Sequence, residues 1–171
     1  MSLREQQAAL MAALSGQGPM AAGWDADRVR ATAVALVHKR SRSVARTWPS
    51  LKAMLVDDYV ACFARYASQH PLPREGGALA DGRAFARWLA PLNDWSDAVH
   101  RQALQVDLHH AQDAAGLRVR RGPSVRLAWL PGARCWLLGM RWPGWGEREF
   151  SLRWVRGQHR KPANPRAYKA D

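Results

Sequence analysis

Acidic residues are scarce in this chain, and cysteine is scarcer. Fourteen Asp and Glu stand against 26 Lys and Arg, a net charge of +12. Two cysteines, Cys62 and Cys135, lie far apart in unlike contexts. That excludes a disulfide framework or a cysteine-rich metal site, and both read as buried thiols. No apolar run approaches the roughly 20 residues of a membrane-crossing helix. The opening MSLREQQAALMAALSG carries Arg4–Glu5 early and has no long apolar stretch, so no secretion signal is expected and the cytoplasm is the expected location. No nucleophile-elbow motif occurs, and Gly76-Gly77 follows Pro73-Arg74-Glu75 without resembling a phosphate cradle. His109-His110-x-x-Asp113, with Asp107 before it, is the one ligand-like cluster. On a helix His109 and Asp113 would lie one turn apart, but no spacing supplies the further ligands, and the cluster reads as a solvated polar face. The expectation is a chain that is not an enzyme and holds neither metal nor cofactor.

What is present is unevenly spread. Residues 116–171 hold thirteen Lys and Arg against three acids, a net +10, whereas residues 1–115 are nearly neutral at +2. The same last third contains Trp129, Trp136, Trp142, Trp145 and Trp154, five of the nine tryptophans. Arginine and tryptophan are favoured at binding hot spots, and a basic field draws in acidic partners. Nucleic acid, an acidic membrane surface and an acidic protein or peptide are the usual partners of such a balance. The membrane ranks last, because it favours lysine-rich amphipathic helices. Hydrophobic content of 47% is that of a globular chain.

The fold expected is α+β, with a helical domain of about five helices over residues 1–115 packed on a small antiparallel sheet over 116–156, and a basic tail over 157–171. Leu3, Leu10, Met11 and Leu14 mark a first helix. Asp25 is the expected N-cap of a second, with Val29, Ala33, Leu36 and Val37 as its stripe and a basic run, Lys39 to Arg46, after it. Trp48-Pro49 interrupts the pattern. Asp57 and Asp58 open a helix with Tyr59, Cys62, Phe63 and Tyr66 inward. Asp81 is expected to cap a short helix with Ala84, Phe85, Trp88 and Leu89 inward. Asn93 or Asp94 starts a last one, through Trp95, Val99, Ala103 and Val106, stopped at Gly116.

After Gly116 the period falls from 3.6 to 2. Leu117 and Val119, then Val125, Leu127 and Trp129, then Trp136, Leu138, Met140 and Trp142, then Phe150, Leu152 and Trp154 alternate with polar or small residues. Short turns make these antiparallel hairpins of one sheet. Its apolar face is expected to pack on the helices, and its other face to present Arg118, Arg120, Arg126 and Arg153 to solvent.

The stretch R-T-W-P-S-L-K-A-M-L-V-D-D-Y-V-A-C-F-A-R-Y-A-S-Q-H-P-L-P from Arg46, then D-G-R-A-F-A-R-W-L from Asp81, resembles the helical N-terminal domain of a group of bacterial accessory proteins, a domain named for DNA binding. V-R-L-A-W-L-P-G and M-R-W-P-G-W-G-E-R-E-F-S-L-R resemble the C-terminal β region of the same group. The resemblance implies a non-catalytic subunit that pairs, as a heterodimer, with a multinuclear-iron TIM-barrel enzyme modifying ribosomal peptides, as in methanobactin-type pathways, and helps present the precursor's leader. Set against the residues, Arg141, Trp142, Trp145 and Arg148 around the Pro143-Gly144 turn are the expected contacts to that enzyme. Arg126, Arg153, Trp154 and Arg156 are the expected contacts to a peptide added along the last strand. The alternative is a DNA-binding protein or regulator using the basic sheet and Lys39 to Arg46, with steep salt dependence.

Overall fold

The computed structural model describes residues 2–14, 18–19, 23–92, 94–144 and 146–152. Its elements run α1 (Leu3–Leu14), α2 (Ala26–Thr47), α3 (Pro49–Leu55), a 3₁₀ turn (Val56–Asp58), α4 (Tyr59–Gln69), α5 (Gly77–Leu89), α6 (Asp97–His109), then β1 (His110–Asp113), β2 (Gly116–Val119), β3 (Ser124–Leu130), β4 (Cys135–Trp142) and β5 (Gly146–Leu152). This is the α+β order expected, with the short α3 as an additional helix. Residues 153–171, and with them the fourth strand's Arg153 and Trp154 and the 157–171 tail, lie outside the described residues.

Local chemistry sets the helix ends. Ser2 and Glu5 form a reciprocal capping box, the Ser2 backbone N–H donating to Glu5 Oε2 at 2.8 Å and the Glu5 N–H to Ser2 Oγ at 3.3 Å. The Asp25 carboxylate accepts the N–H groups of Asp27 and Arg28, as a helix N-cap should. Helix α2 runs on through the basic run to Thr47, and Pro49 opens α3 at its first turn. Trp48 between them is fully buried, with its indole N–H donating to the Leu79 carbonyl at 3.0 Å. Gly82 of α5 lies so close that a Cβ there would overlap the indole ring.

The helical core gathers Leu51, Phe63, Tyr66, Phe85, Leu89 and Val99, all essentially without solvent contact. Phe63 and Phe85 meet edge-on at 5.1 Å between centroids, a favoured aromatic geometry. One expectation fails here. Asp81 does not cap α5, which starts four residues earlier at Gly77. Asp81 is buried inside the helix, and its carboxylate is occupied by Arg40, whose Nε and Nη2 donate at 2.7 and 2.8 Å, and by the Tyr66 hydroxyl at 3.0 Å. Arg40 also donates to the His70 carbonyl and lies over the Phe63 and Tyr66 rings. A second bidentate pair, Arg83 to Asp107 at 2.8 and 2.7 Å, ties α5 to α6.

Burial, and then the charge of Asp81, push the phenols of Tyr59 and Tyr66 well above their ordinary value. A group whose folded pKa is raised contributes stability that is complete below its unfolded pKa, about 10 for tyrosine, and lost as pH rises above it. Urea unfolding should therefore give a midpoint that falls between about pH 9.5 and 11.5. The fall should be shallower in Tyr66→Phe, and a slope equal to wild type would remove Tyr66 from this account.

The strands form two sheets, not one. β1 and β2 make an antiparallel hairpin, and β3, β4 and β5 an antiparallel meander in that order. The last helix stops at His109 instead of reaching Gly116. The Asp113 carboxylate accepts the N–H groups of Ala115 and Gly116, turning the chain back on itself. His109 and Asp113 are thus not a helical turn apart, because His109 ends α6 and Asp113 ends β1. The 115/116 division falls inside this hairpin. Glu75 holds the hairpin through backbone bonds with Ala115 and Leu117 and a side-chain pair with Arg118.

The meander packs on α6. Leu104 and Leu108 of the helix meet Leu130, Cys135 and Leu137 in a second core. Gly139 of β4 sits directly under the helix, where a Cβ would come within 2.6 Å of both Leu104 and Leu108. Gly139→Val should cost about 1–3 kcal/mol through overpacking, read as a lower urea midpoint. A neutral result would show that α6 and the sheet can separate freely. At the other end of the helix, Asp97 accepts the backbone N–H groups of Gly132 and Ala133 at 2.8 and 2.7 Å, fixing the β3–β4 turn to its first turn.

Candidate interaction surface

The two faces of the meander are reversed relative to expectation. Ser124, Arg126, Ala128 and Leu130 of β3 and Cys135, Leu137, Gly139 and Arg141 of β4 form the face turned to α6, where every one is buried or half-buried. The larger apolar residues point outward. Leu127 is 57% exposed, Trp142 58%, Val125 52% and Phe150 50%, with Trp129, Trp136 and Met140 near 40%. Sheet register brings them into rows: Val125 opposite Met140, Leu127 opposite Leu138 and in turn Phe150, and Trp129 opposite Trp136. The Trp129 and Trp136 rings are 5.3 Å apart, a cross-strand aromatic pair on the open face.

The inversion has a physical cause. β4 is apolar at every position but Arg141, so its alternation cannot say which face turns inward. Helix α6 decides, since it approaches only a flat strip, and the small Ala128, Cys135 and Gly139 provide one where three tryptophans could not. A contiguous exposed apolar sheet face is the type of surface that interaction sites use, which makes this one the candidate.

Among the described residues, Arg118, Arg120 and Arg126 do not form the expected basic face on this sheet. Arg118, on the separate hairpin, pairs with Glu75 at 2.6 Å and Asp113 at 3.4 Å. Those carboxylates raise its pKa. Arg120 Nε donates to the carbonyls of Asp107 and His110, and Arg126 to that of Val125. Arg141 turns under the sheet edge and donates to the Arg120 carbonyl at 3.1 Å. Of the contacts expected for the enzyme, Trp142 and Arg148 are exposed, Arg148 lying opposite Met140 on β5, and Arg141 is half-buried on the reverse face. Gly144, with φ of +85° after Pro143, supplies the left-handed residue that a tight turn needs. Trp145, Arg153, Trp154 and Arg156 lie outside the described residues. Of those expected for the peptide, Arg126 alone is described, half-buried on β3 at the opposite side of the meander from β5. Sequence reasoning missed the exposure of Val125, Leu127, Trp129 and Trp136, having assigned the face they share to the core.

Among the described residues no group of three or more His, Cys, Asp or Glu is placed to hold a metal ion, and no helix is long and apolar enough to cross a membrane. Cys62 and Cys135 are free thiols, half-buried and buried.

Comparison with known proteins finds a family match over residues 4–91, to "SCO6045-like, C-terminal domain". A UPF0276 protein of Streptomyces avermitilis is 36% identical over 99 residues, which make up 58% of this chain and 20% of that protein. The chain therefore spans about a fifth of the length of this curated relative. No solved structure matches.

Proposed function

The chain belongs to the SCO6045-like C-terminal domain family, and on that footing we propose that it is a non-catalytic accessory subunit docking a larger, multinuclear-iron TIM-barrel enzyme and helping to present that enzyme's ribosomal precursor peptide. The observation that carries the proposal is the open apolar face of the meander, in which Leu127, Trp136, Trp142 and Phe150 are exposed in register. Leaving such a face in water is unfavourable by roughly 25 cal/mol for each Å² of apolar surface, and a protein partner removes that cost. The Streptomyces relative carries its matching segment as one fifth of a longer protein, which supports a domain that works joined to a larger body. Strand β5 is an outer strand of the meander and offers a backbone edge for a leader peptide, beside the enzyme and not beneath it.

Co-expression with a multinuclear-iron TIM-barrel enzyme and its precursor peptide tests the reading. A stoichiometric complex with iron on the larger subunit, and a mass change in the peptide that requires this chain, are the expected results. A lone monomer that retains nucleic acid, released at high salt, would replace this reading with the DNA-binding one.

A further inference from the structure

The helical body carries a second surface that the docking face does not explain. Residues 28–56 contain no Asp or Glu. Within them Lys39, Arg40, Arg42, Arg46 and Lys52 crowd the end of α2 and the start of α3. Arg40 turns inward to Asp81. The remaining four stay exposed and line one open cleft of about 590 Å³, with Ser43 and Ala45 on its floor. None of the four is in an ion pair among the described residues, and Arg46 donates only to the Ser43 hydroxyl. Lys39, Arg42 and Arg46 follow one another at i, i+3 and i+7, so they share a face of α2 and span about 10 Å along its axis. Like charges at this spacing repel, which disfavours the helix that holds them unless something negative is bound there.

We propose that the α2–α3 cleft binds an acidic helical segment of a polypeptide, whose carboxylates at i, i+3 or i+4, and i+7 match the run Lys39, Arg42, Arg46, with Lys52 closing the other wall. A polypeptide fits better than nucleic acid. The lining holds no aromatic side chain on which a base could stack, since Trp48 and Tyr59 close by are buried. This site stands apart from the meander and does not rest on the docking reading.

The test is fluorescence anisotropy of the full chain with a labelled helical peptide bearing Glu at i, i+4 and i+7, at about 0.15 M salt, where long-range attraction is screened. The variants are K39A/R42A/R46A/K52A and the milder R46E/K52E. The comparison is R28A/R74A/R87A/R101A, which removes as many exposed cations elsewhere. Circular dichroism confirms that each variant keeps its helices. The cleft variants should weaken peptide binding about tenfold or more and the comparison variant less than about twofold. Equal losses would overturn the proposal, since net charge would then be sufficient. So would a labelled oligothymidylate binding at least as tightly as the peptide and lost with the same cleft variants.

Discussion

Asp81→Ala is expected to lose about 3–5 kcal/mol of folding stability, the largest single-residue effect in the helical body. The loss comes less from the ion pair itself than from what remains. Arg40 is 85% buried at its side chain and would keep its charge with only the His70 carbonyl as acceptor, while the Tyr66 hydroxyl loses its carboxylate partner. Breaking a buried pair from one side is costly, whereas replacing both partners with apolar residues of similar size is often near neutral. The double variant Arg40→Leu/Asp81→Leu should therefore recover most of the loss. Urea unfolding followed by circular dichroism measures both. A loss under about 1 kcal/mol for Asp81→Ala would mean that water reaches the pair and that it does not clamp α2, α4 and α5.

Leu127→Ser/Trp136→Ser should behave in the opposite way. Both side chains are already substantially exposed, so the isolated variant should keep its unfolding midpoint to within about 1 kcal/mol and gain solubility. Affinity for the partner enzyme should fall by about 2–4 kcal/mol, a thirty- to thousandfold rise in Kd by calorimetry, because the substitutions empty the centre of the proposed interface. Trp142→Ala, at the rim beside the turn, should cost less. A stability loss without a change in affinity would return these residues to the core.

Most of the helical body was legible because its signals were local and redundant. Asp25 had a cap's chemistry, Tyr59, Phe63 and Tyr66 shared a face, and Trp48-Pro49 ended a helix for steric reasons. Asp81 misled because a carboxylate before an apolar stripe suits either an N-cap or a buried partner, and only the distant Arg40, 41 residues earlier in the chain, decides between them. The hairpin at His110–Val119 was hidden because nothing in D-L-H-H-A-Q-D marks a change from helix to strand; the Asp113 turn imposes it. The strands of the meander were legible in position and pairing but not in facing. Gly139, which shows where α6 lies, reads in sequence only as a weak strand residue. The segment expected to carry the contacts does present Trp142 and Arg148 to solvent, but the residues exposed beside them are tryptophan, leucine and phenylalanine and not the expected arginines.

The measurement closest to the central claim is hydrogen–deuterium exchange of the chain, free and in complex with the co-expressed enzyme. The account predicts slowed exchange across β3, β4 and β5, residues 124–152, with little change in α4 and α5. Protection confined to the helical body, with the meander exchanging as fast as in the free chain, would contradict it.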